Sequence, residues 1–455
     1  MYKVYDNGNG KYSVKKDGSK RASKIFDNKN DAYDYCDKKN KELGIESSAK
    51  NNFIFRKIII GVLSAFIVVI VAILGLKFGI FDAFNLSSSS SNNTSSIVVN
   101  EGVHNEFQIH FLELGNKYSG DSIYIKAGEN DILIDAGSRK GSAKYIKEYV
   151  DQYCIDGKLE YVIATHADKD HISGFVGNSS NGIRDGILYQ YEVGTLIDFA
   201  LTEKTYATYK EYLEAREMLK ANGTNVYTAA QAFNETDGAK RIYELGEGMQ
   251  FQILYNKYYF ELSKDENNHS VVTLFSYTKN GVKNDYLLTG DLEVEGEEAM
   301  VEYYKENPGI LGHVVLFKAG HHGSKTSSND VLLELITPEI SVVTCCAWAQ
   351  YTEYNANTFP TQQYIDRISK YTDQVYVTSV YDEENDDLGS LNGTVIISSN
   401  GEEVSMYGSN NTTKLKDTEW FSETVYVDST GKLVTKDTAG AIAIPRRTMP
   451  AAWKW

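Results

Sequence analysis

The sequence predicts a layered α/β protein, preceded by a small N-terminal unit and one membrane-spanning helix. Three observations support this prediction. From about residue 108 onward, short apolar runs typical of strands alternate with helical patterns, of which 141–153 and 203–221 are the clearest. Nineteen consecutive residues without a charge occupy 58–76, close to the roughly 20 that cross a bilayer as a helix. The 455 residues also exceed one ordinary domain, so two or three units are expected.

Residues 1–50 are predicted to form a small ββα-like unit. Two strand-like runs flank Asn-Gly-Asn-Gly at 7–10, which is a strong signal for a hairpin turn. A helical pattern follows over 29–43. The run at 14–23 resembles a short bacterial domain of unknown function, and this resemblance implies no activity.

The apolar run is interpreted as a transmembrane signal anchor over 58–80. The segment before it carries 14 Lys and Arg against 8 Asp and Glu, and such positive charge favours the cytoplasmic side. The remainder carries 32 against 54, a net charge of −22. A buried core helix is the first alternative, and the uniformly apolar run disfavours it. A cleaved signal peptide is the second alternative, and the long basic leader and the missing A-x-A site disfavour it. We therefore expect a single-pass protein of the cell membrane, with a cytoplasmic N-terminus and its larger part extracellular.

Composition divides the rest of the chain into three parts. Residues 85–103 include a tract of almost only Ser, Asn and Thr, which predicts a flexible linker. The alternating strand and helix patterns cover 106–406 and predict one folded domain. Residues 415–455 form a tail, in which the run at 419–435 resembles one degenerate unit of a cell-wall-binding repeat. A plain terminal hairpin is the alternative, because such repeats need about three copies to be stable.

The most informative motif lies at 165–174, directly after an apolar strand-like run. Within six residues it contains two histidines and two aspartates: His166, Asp168, Asp170 and His171. First-row metal ions bind this mixture of imidazole and carboxylate. Two ions about 3.5–4 Å apart are a common device for clamping the attacking and leaving oxygens of a displacement. The motif therefore predicts a metal-dependent hydrolase. Taken alone, the same sequence could also form a loop cap or a solvated turn, which is the alternative.

Three further motifs strengthen the prediction because each has a strand-end or loop position suited to a metal site. Upstream, a strand-like run ends in Asp135 and a tight-turn glycine. Downstream, a second run ends in Asp291. The last motif, at 318–328, contains the adjacent pair His321 and His322. Four of the eight histidines of the chain thus lie in two of the motifs.

This ordered set resembles the metallo-β-lactamase fold superfamily, and within it the extracellular hydrolase-like domain of ComEC-type competence proteins. The resemblance covers about 106–406 and includes an opening motif at 111–115 and an Asn-Asn-x-Ser motif at 267–271. It implies an αββα sandwich with a site for two divalent metal ions at one edge of the sheets.

The resemblance also implies a ligand set drawn from these motifs. His166 and Asp168 would hold one metal ion. Asp170 and His171 would hold the second ion, with Asp291 bridging the two. A water between the ions would become a hydroxide nucleophile, and Asp170 would accept its proton as well as ligate, so that Asp170 and Asp291 are the predicted catalytic residues.

The remaining roles fall to residues that flank this set. His322 is favoured over His321 as the last ligand of the second ion, and the sequence does not separate them. Asp135 would be a carboxylate that orients a ligand. Two hydroxyls and an ammonium follow the histidine pair, where they would hold a phosphate oxygen or form a plain polar loop: Ser324, Lys325 and Thr326.

The sequence departs from the common superfamily pattern at several points. Asp168 stands where a histidine is usual, so the site is richer in oxygen. This shifts the expectation from zinc alone to zinc or manganese, with magnesium or iron also open. The usual middle histidine ligand has no clear counterpart, although His269 lies nearby in sequence. Phe359 and Pro360 stand where competence proteins usually have His-Pro.

The predicted function is a membrane-anchored extracellular phosphodiesterase or nuclease with two metal ions. The net charge of −22 argues against tight general DNA binding, because nonspecific affinity comes from Lys and Arg that neutralise phosphates. Phosphodiesters of cell-wall teichoic acid or its phosphocholine groups are an alternative substrate class. A surface binding module that retains the fold without catalysis is a third hypothesis, disfavoured because the predicted ligands are all present. No obligate protein partner is inferred.

Overall fold

The computed structural model divides the chain into two compact units, Met1–Asn92 and Asn93–Trp455. The predicted anchor at 58–80 lies outside the residues that the structure describes. Across the described ranges, no helix is both long enough and apolar enough to span a membrane. The described residues are 2–6, 11–16, 23–27, 29–42, 96–99, 103–349 and 353–454.

The described residues of the N-terminal unit form three antiparallel strands and one helix, which is one strand more than the sequence predicts. Strands β1 (Tyr2–Asp6) and β2 (Tyr12–Lys16) pair with each other, the predicted turn at 7–10 lies outside the described residues, and α1 (Lys29–Glu42) matches the helical pattern. The additional strand, β3 (Lys24–Phe26), pairs with β2 over three residues. A run this short carries no measurable periodicity. The small hydrophobic core of the N-terminal unit includes Val14, Ala32 and Cys36.

The second unit contains a nine-stranded mixed sheet, in which β4 lies at one edge. β4 falls inside the predicted linker at 85–103 and pairs in parallel with its neighbour. The strands in spatial order are β12 (Asn225–Thr228), β11 (Glu192–Asp198), β8 (Lys158–Ala164), β7 (Asn130–Ile134), β6 (Ile123–Ala127), β5 (Phe107–Phe111), β21 (Val395–Ser399), β22 (Glu403–Gly408) and β4 (Ser96–Val99).

A second, eight-stranded sheet is antiparallel at both ends and parallel from β16 to β19. Its strands in spatial order are β13 (Ile242–Gly246), β14 (Met249–Ile253), β15 (Thr273–Lys279), β16 (Val282–Leu288), β17 (Leu316–Lys318), β18 (Ile340–Ala347), β19 (Val375–Asp382) and β20 (Asp387–Ser390). A separate short ribbon consists of β9 (Ser179–Ser180) and β10 (Ile183–Arg184).

The two large sheets pack face to face, and the side chains of the second sheet alternate between two hydrophobic cores. Phe107 of the first sheet contacts Phe275 and Tyr286 of the second, with ring centroids 6.5 and 5.0 Å apart. The neighbouring Leu274 and Leu287 face the other core, as expected because successive strand residues point to opposite sides.

Helices cover the outer faces of the sheets, which confirms the predicted α/β layering. The helices on the first sheet contribute Ile146, Ile172 and Tyr212 to the core that contains that sheet. The helices on the second sheet contribute Met300 and Leu333 to the second core. The described helices of this unit are α2 (Ser142–Val150), α3 (Lys169–Val176), α4 (Ala207–Ala221), α5 (Ala229–Asn234), α6 (Val294–Glu306), α7 (Asp330–Ile336) and α8 (Gln362–Ile368).

The C-terminal segment packs into the second unit. It forms a small sheet in the order β24 (Leu433–Val434), β23 (Thr424–Val427) and β25 (Ile442–Pro445). Trp420 and Trp453 are buried in the second core. The ring of Trp420 lies 4.6 Å from that of Trp348. Residues 415–455, which composition sets apart, therefore share a core with the preceding domain.

Candidate metal centre

Two neighbouring parallel strands deliver the first residues of the site. Strand β7 ends directly before Asp135 and β8 ends directly before the 165–174 motif, so both continue from the same edge of the sheet. The backbone N–H and the hydroxyl of Thr165 donate to the two oxygens of Asp135, at 2.8 and 2.6 Å. These bonds fix a fully buried carboxylate at the base of the site.

Helix α3 begins immediately after Asp168 and places His171 between two carboxylates. Its Nδ1 lies 2.7 Å from Asp135 Oδ2, and its Nε2 lies 3.1 Å from Asp291 Oδ2. Asp135 thus engages the nitrogen remote from Asp291, which is the geometry of a carboxylate that orients a metal-binding histidine.

The second sheet supplies the other half of the site through the segments that follow β16 and β17. His322 Nδ1 donates to the carbonyl of Thr344 at 2.8 Å. Its Nε2 then lies 3.3 Å from Asp291 Oδ2 and 3.6 Å from Asp170 Oδ2. We name four residues the metal cluster, because one ligand atom of each lies within 4.8 Å of the others: Asp170, His171, Asp291 and His322.

His166 lies beside this cluster, with its ring centroid 4.1 Å from that of His171. Its Nε2 is 3.8 Å from Asp168 Oδ2, while the other oxygen of Asp168 forms an ion pair with Lys204. Among the described residues, neither this buried Nε2 nor that of His322 has a hydrogen-bond partner. Buried polar atoms are rarely left unpaired. Imidazole nitrogens and carboxylates converging in this way fit a divalent metal ion.

The structure separates the two adjacent histidines of the last motif. His321 Nδ1 lies 3.0 Å from Glu293 Oε1, so its ring turns away from the metal cluster. Both residues have left-handed backbone angles, with φ of 46° at His321 and 53° at His322. The geometry therefore places His322 among the candidate ligands and His321 outside them.

The three residues predicted to hold a phosphate oxygen each form a hydrogen bond with a nearby side chain. Ser324 Oγ lies 2.9 Å from Thr326 Oγ1, which donates to Glu293 Oε1 at 2.6 Å. The ammonium of Lys325 donates to Asn357 Oδ1 at 2.8 Å. These contacts order the loop after the histidine pair.

His269 also lies outside the metal cluster. Its Nε2 accepts a hydrogen bond from the backbone N–H of Ser263 at 3.0 Å. Its Nδ1 is 3.5 Å from Glu266 Oε2. The nearby histidine in sequence therefore does not supply the missing middle ligand in this structure.

Two buried charges, Asp121 and Lys318, belong to the site but were not identified from sequence. Lys318 Nζ lies 2.5 Å from Asp121 Oδ2 and 3.3 Å from Asp291 Oδ1, and it donates to the carbonyl of Gly290 at 2.9 Å. Burial opposes the ammonium charge, but the two carboxylates outweigh it and raise the pKa of Lys318. The available signal was a charged residue at the end of an otherwise apolar strand.

The metal cluster contains strongly perturbed titratable groups. Burial lowers the pKa of a histidine, but Asp291 and Asp121 outweigh burial and raise the pKa of His322 to about 10. The pKa of His171 is raised by Asp291 and Asp135 in the same manner. Protons thus balance the carboxylates when no metal is bound, and a divalent ion would displace them, since ligand histidines must be neutral.

The motif at 165–174 ends in a glycine because the backbone approaches closely there. A Cβ on Gly174 would lie 2.0 Å from the carbonyl oxygen of Ala136. We expect Gly174→Ala to lower the free energy of unfolding by about 2–3 kcal/mol, measured by chemical denaturation, because a clash with backbone cannot relax by a rotamer change. Gly141→Ala is the control, since nothing lies within 4 Å of its Cβ position. Equal stability of the two variants would contradict this account.

Sequence comparison finds a family match and two curated relatives for this part of the chain. Residues 115–177 match the family model described as Metallo-beta-lactamase superfamily. The chain is 26% identical over 278 residues to Recombination protein 2 of Haemophilus influenzae, which covers 60% of this chain and 28% of that protein. It is 24% identical over 254 residues to ComE operon protein 3 of Bacillus subtilis, which covers 52% of this chain and 28% of that protein.

Among solved structures, a mutant metallo-beta-lactamase from Cronobacter sakazakii is 17% identical to this chain, with a TM-score of 0.22. The match covers 38% of this chain and 58% of that one. The two curated relatives are matched over little more than a quarter of their own length. The family match and these relatives confirm the resemblance read from the ordered motifs.

Proposed function

Because the chain contains a domain of the metallo-β-lactamase superfamily similar to those of ComEC-type competence proteins, we propose that it is a metal-dependent phosphodiester hydrolase. The observation that carries the proposal is the metal cluster, in which side chains from both sheets converge within 4.8 Å. The uncharged, apolar run at 58–76, preceded by a basic segment, supports anchoring in the cell membrane with this domain outside.

The residues present fit two divalent ions. Asp170, His171, Asp291 and His322 would hold one ion, and His166 with Asp168 would hold the other. When bound, the ions would supply Lewis acidity to a water nucleophile and to a phosphoryl oxygen. Zinc and manganese suit this mixture of nitrogen and oxygen donors, which also admits magnesium or iron.

Asp170 has the position expected of the group that accepts a proton from the attacking water. Its side chain is 37% exposed, whereas those of Asp291 and His322 are at most 2% exposed. Water therefore reaches the cluster on the side of Asp170. Its neighbours His322 and His171 outweigh burial and hold the pKa of this carboxyl below its usual range. It is thus ionised at neutral pH, as a carboxylate that binds a metal ion must be.

Cations beside the entrance support a phosphodiester substrate. The ammonium of Lys204 pairs with Asp168, and Lys169 is exposed at the start of α3. Charge-assisted bonds to phosphate oxygens are among the strongest polar contacts in proteins. An anionic diester, from nucleic acid or from a cell-wall polymer, would find a counter-charge in Lys169, and in Lys204 once a metal ion engages Asp168.

Metal content and turnover of the full-length protein test the proposal. After chelation and reloading with Mn²⁺ or Zn²⁺, we expect bound metal and hydrolysis of bis(p-nitrophenyl) phosphate, single-stranded DNA or teichoic acid. Asp170→Asn should lower turnover by about 10²–10³-fold. Asp237→Asn, at an exposed aspartate remote in sequence from every ligand motif, should leave it unchanged. Bound metal without turnover of any diester would instead indicate a binding module.

A further inference from the structure

The C-terminal segment inserts a buried arginine into the loop that covers the histidine pair. Arg447 is only 2% exposed. Its Nε donates to the carbonyl of Pro360 at 2.9 Å, and its Nη1 and Nη2 donate to the carbonyls of Asn355 and Thr358 at 3.2 and 2.5 Å. The guanidinium also lies 4.5 Å from the ring centroid of Trp348. One side chain thus ties together the backbone of the whole 355–360 loop.

This loop in turn contacts the turn that carries His322. The ring of Phe359 lies 5.5 Å from that of His321 and 5.8 Å from that of His322. The backbone N–H of Thr361 donates to the carbonyl of Gly323 at 2.8 Å. A Cβ on Gly323 would lie 2.8 Å from Pro360 Cβ. The loop therefore packs against the candidate ligand His322 and against Gly323, the residue that follows it.

Two further contacts hold the C-terminal segment beside this loop. Thr448 and Gln362 exchange two hydrogen bonds, of 2.7 and 2.8 Å, between the backbone of the first and the side chain of the second. The indole N–H of Trp453 donates to the carbonyl of Thr372 at 2.9 Å. The segment from Arg447 to Trp453 is thus anchored on both sides of α8.

The backbone of His322 explains why such support is needed. Its φ of 53° lies in the left-handed region, which costs free energy for a residue other than glycine. Conformations of this kind persist where the surrounding packing over-determines them. In this protein the packing comes from Phe359 and Pro360, which the C-terminal segment holds in place.

We propose that Arg447 is a positioning residue of the metal centre, and that the C-terminal segment completes the site by holding the 355–360 loop against the His322 turn. The inference rests on the proposed function only for its metal-binding readout. The packing readout is independent of metal and of catalysis.

Hydrogen exchange of the metal-free, full-length protein tests the proposal. Arg447→Met keeps the apolar stem and removes every donor. We expect the peptide over 318–328 to exchange about 10-fold faster than in the wild type, because the turn loses its support. Arg446→Met is the matched control, since Arg446 pairs with Glu383 and Glu423 instead, and it should leave this peptide unchanged.

Metal titration provides the second readout. Arg447→Met should weaken Co²⁺ or Zn²⁺ binding about 10-fold, as loss of groups that orient ligands does elsewhere. Arg447→Lys, which retains the charge with fewer directed donors, serves if the Met variant fails to fold, and should show intermediate values. The proposal is overturned if 353–362 loosens while 318–328 exchanges as in the wild type, or if metal affinity is unchanged. A wild-type protein without metal affinity would count against the proposed function, while the exchange result still decides the role of Arg447.

Discussion

Asp291→Asn is expected to lower phosphodiester turnover on the order of 10³-fold and to weaken metal binding. Asp291 contacts both histidines of the metal cluster and also Lys318: nitrogen atoms of His171, His322 and Lys318 lie within 3.3 Å of its oxygens. The substitution preserves the shape of the side chain but removes the charge that a bridging ligand supplies. Steady-state kinetics and metal analysis of the reloaded, full-length variant measure both effects.

Asp285→Asn is the matched control for that experiment. Asp285 lies on β16, the strand that leads to Asp291, and pairs with the half-exposed Lys283. Its loss should leave turnover and metal content unchanged, because exposed ion pairs contribute little. If Asp291→Asn retained full metal content and turnover, Asp291 would have no role in binding the ions.

Lys318→Met is expected to lower the free energy of unfolding of the metal-free protein by about 3–5 kcal/mol. The ammonium is completely buried between Asp121 and Asp291. Without it, two carboxylates would remain in the interior with less compensating charge. Chemical denaturation in the presence of a chelator measures this effect without a contribution from metal binding.

A second substitution separates charge balance from packing in this variant. Combining Lys318→Met with Asp121→Asn removes one charge of each sign and should recover a large part of the lost stability. Lys283→Met, which breaks an exposed pair, should change stability by less than about 1 kcal/mol. A double variant as unstable as Lys318→Met alone would show that the lysine acts through packing.

Local patterns identified part of the secondary structure. The helices predicted at 141–153 and 203–221 appear as α2 and α4 with slightly shorter bounds. Sequence reading missed the 13-residue helix α6 and the inner strands β11 and β19, as well as the short strands β3 and β4. Three or four residues do not establish a period, so their pairing is decided by neighbouring strands that are distant in sequence.

The candidate ligands were recognised because they occur in local motifs at strand ends. The structure brings Asp170, His171, Asp291 and His322 together, as those motifs imply. Lys318 is the first residue of the 318–328 motif, but a lysine is not a usual metal ligand, and Asp121 lies outside the motifs, so both were overlooked. Their importance depends on a contact between segments almost 200 residues apart, which no local spacing reveals.

The sequence by itself determined the α/β class, the family resemblance and the chemical types of the candidate ligands, since each follows from patterns within a few residues. Only the tertiary structure decided that His322 faces the cluster while His321 faces Glu293. It also decided that Arg447 packs against the loop beside that histidine. The physical reason is that side-chain direction and long-range contacts depend on how the two sheets and the C-terminal segment pack, and the order of residues along the chain does not specify this locally.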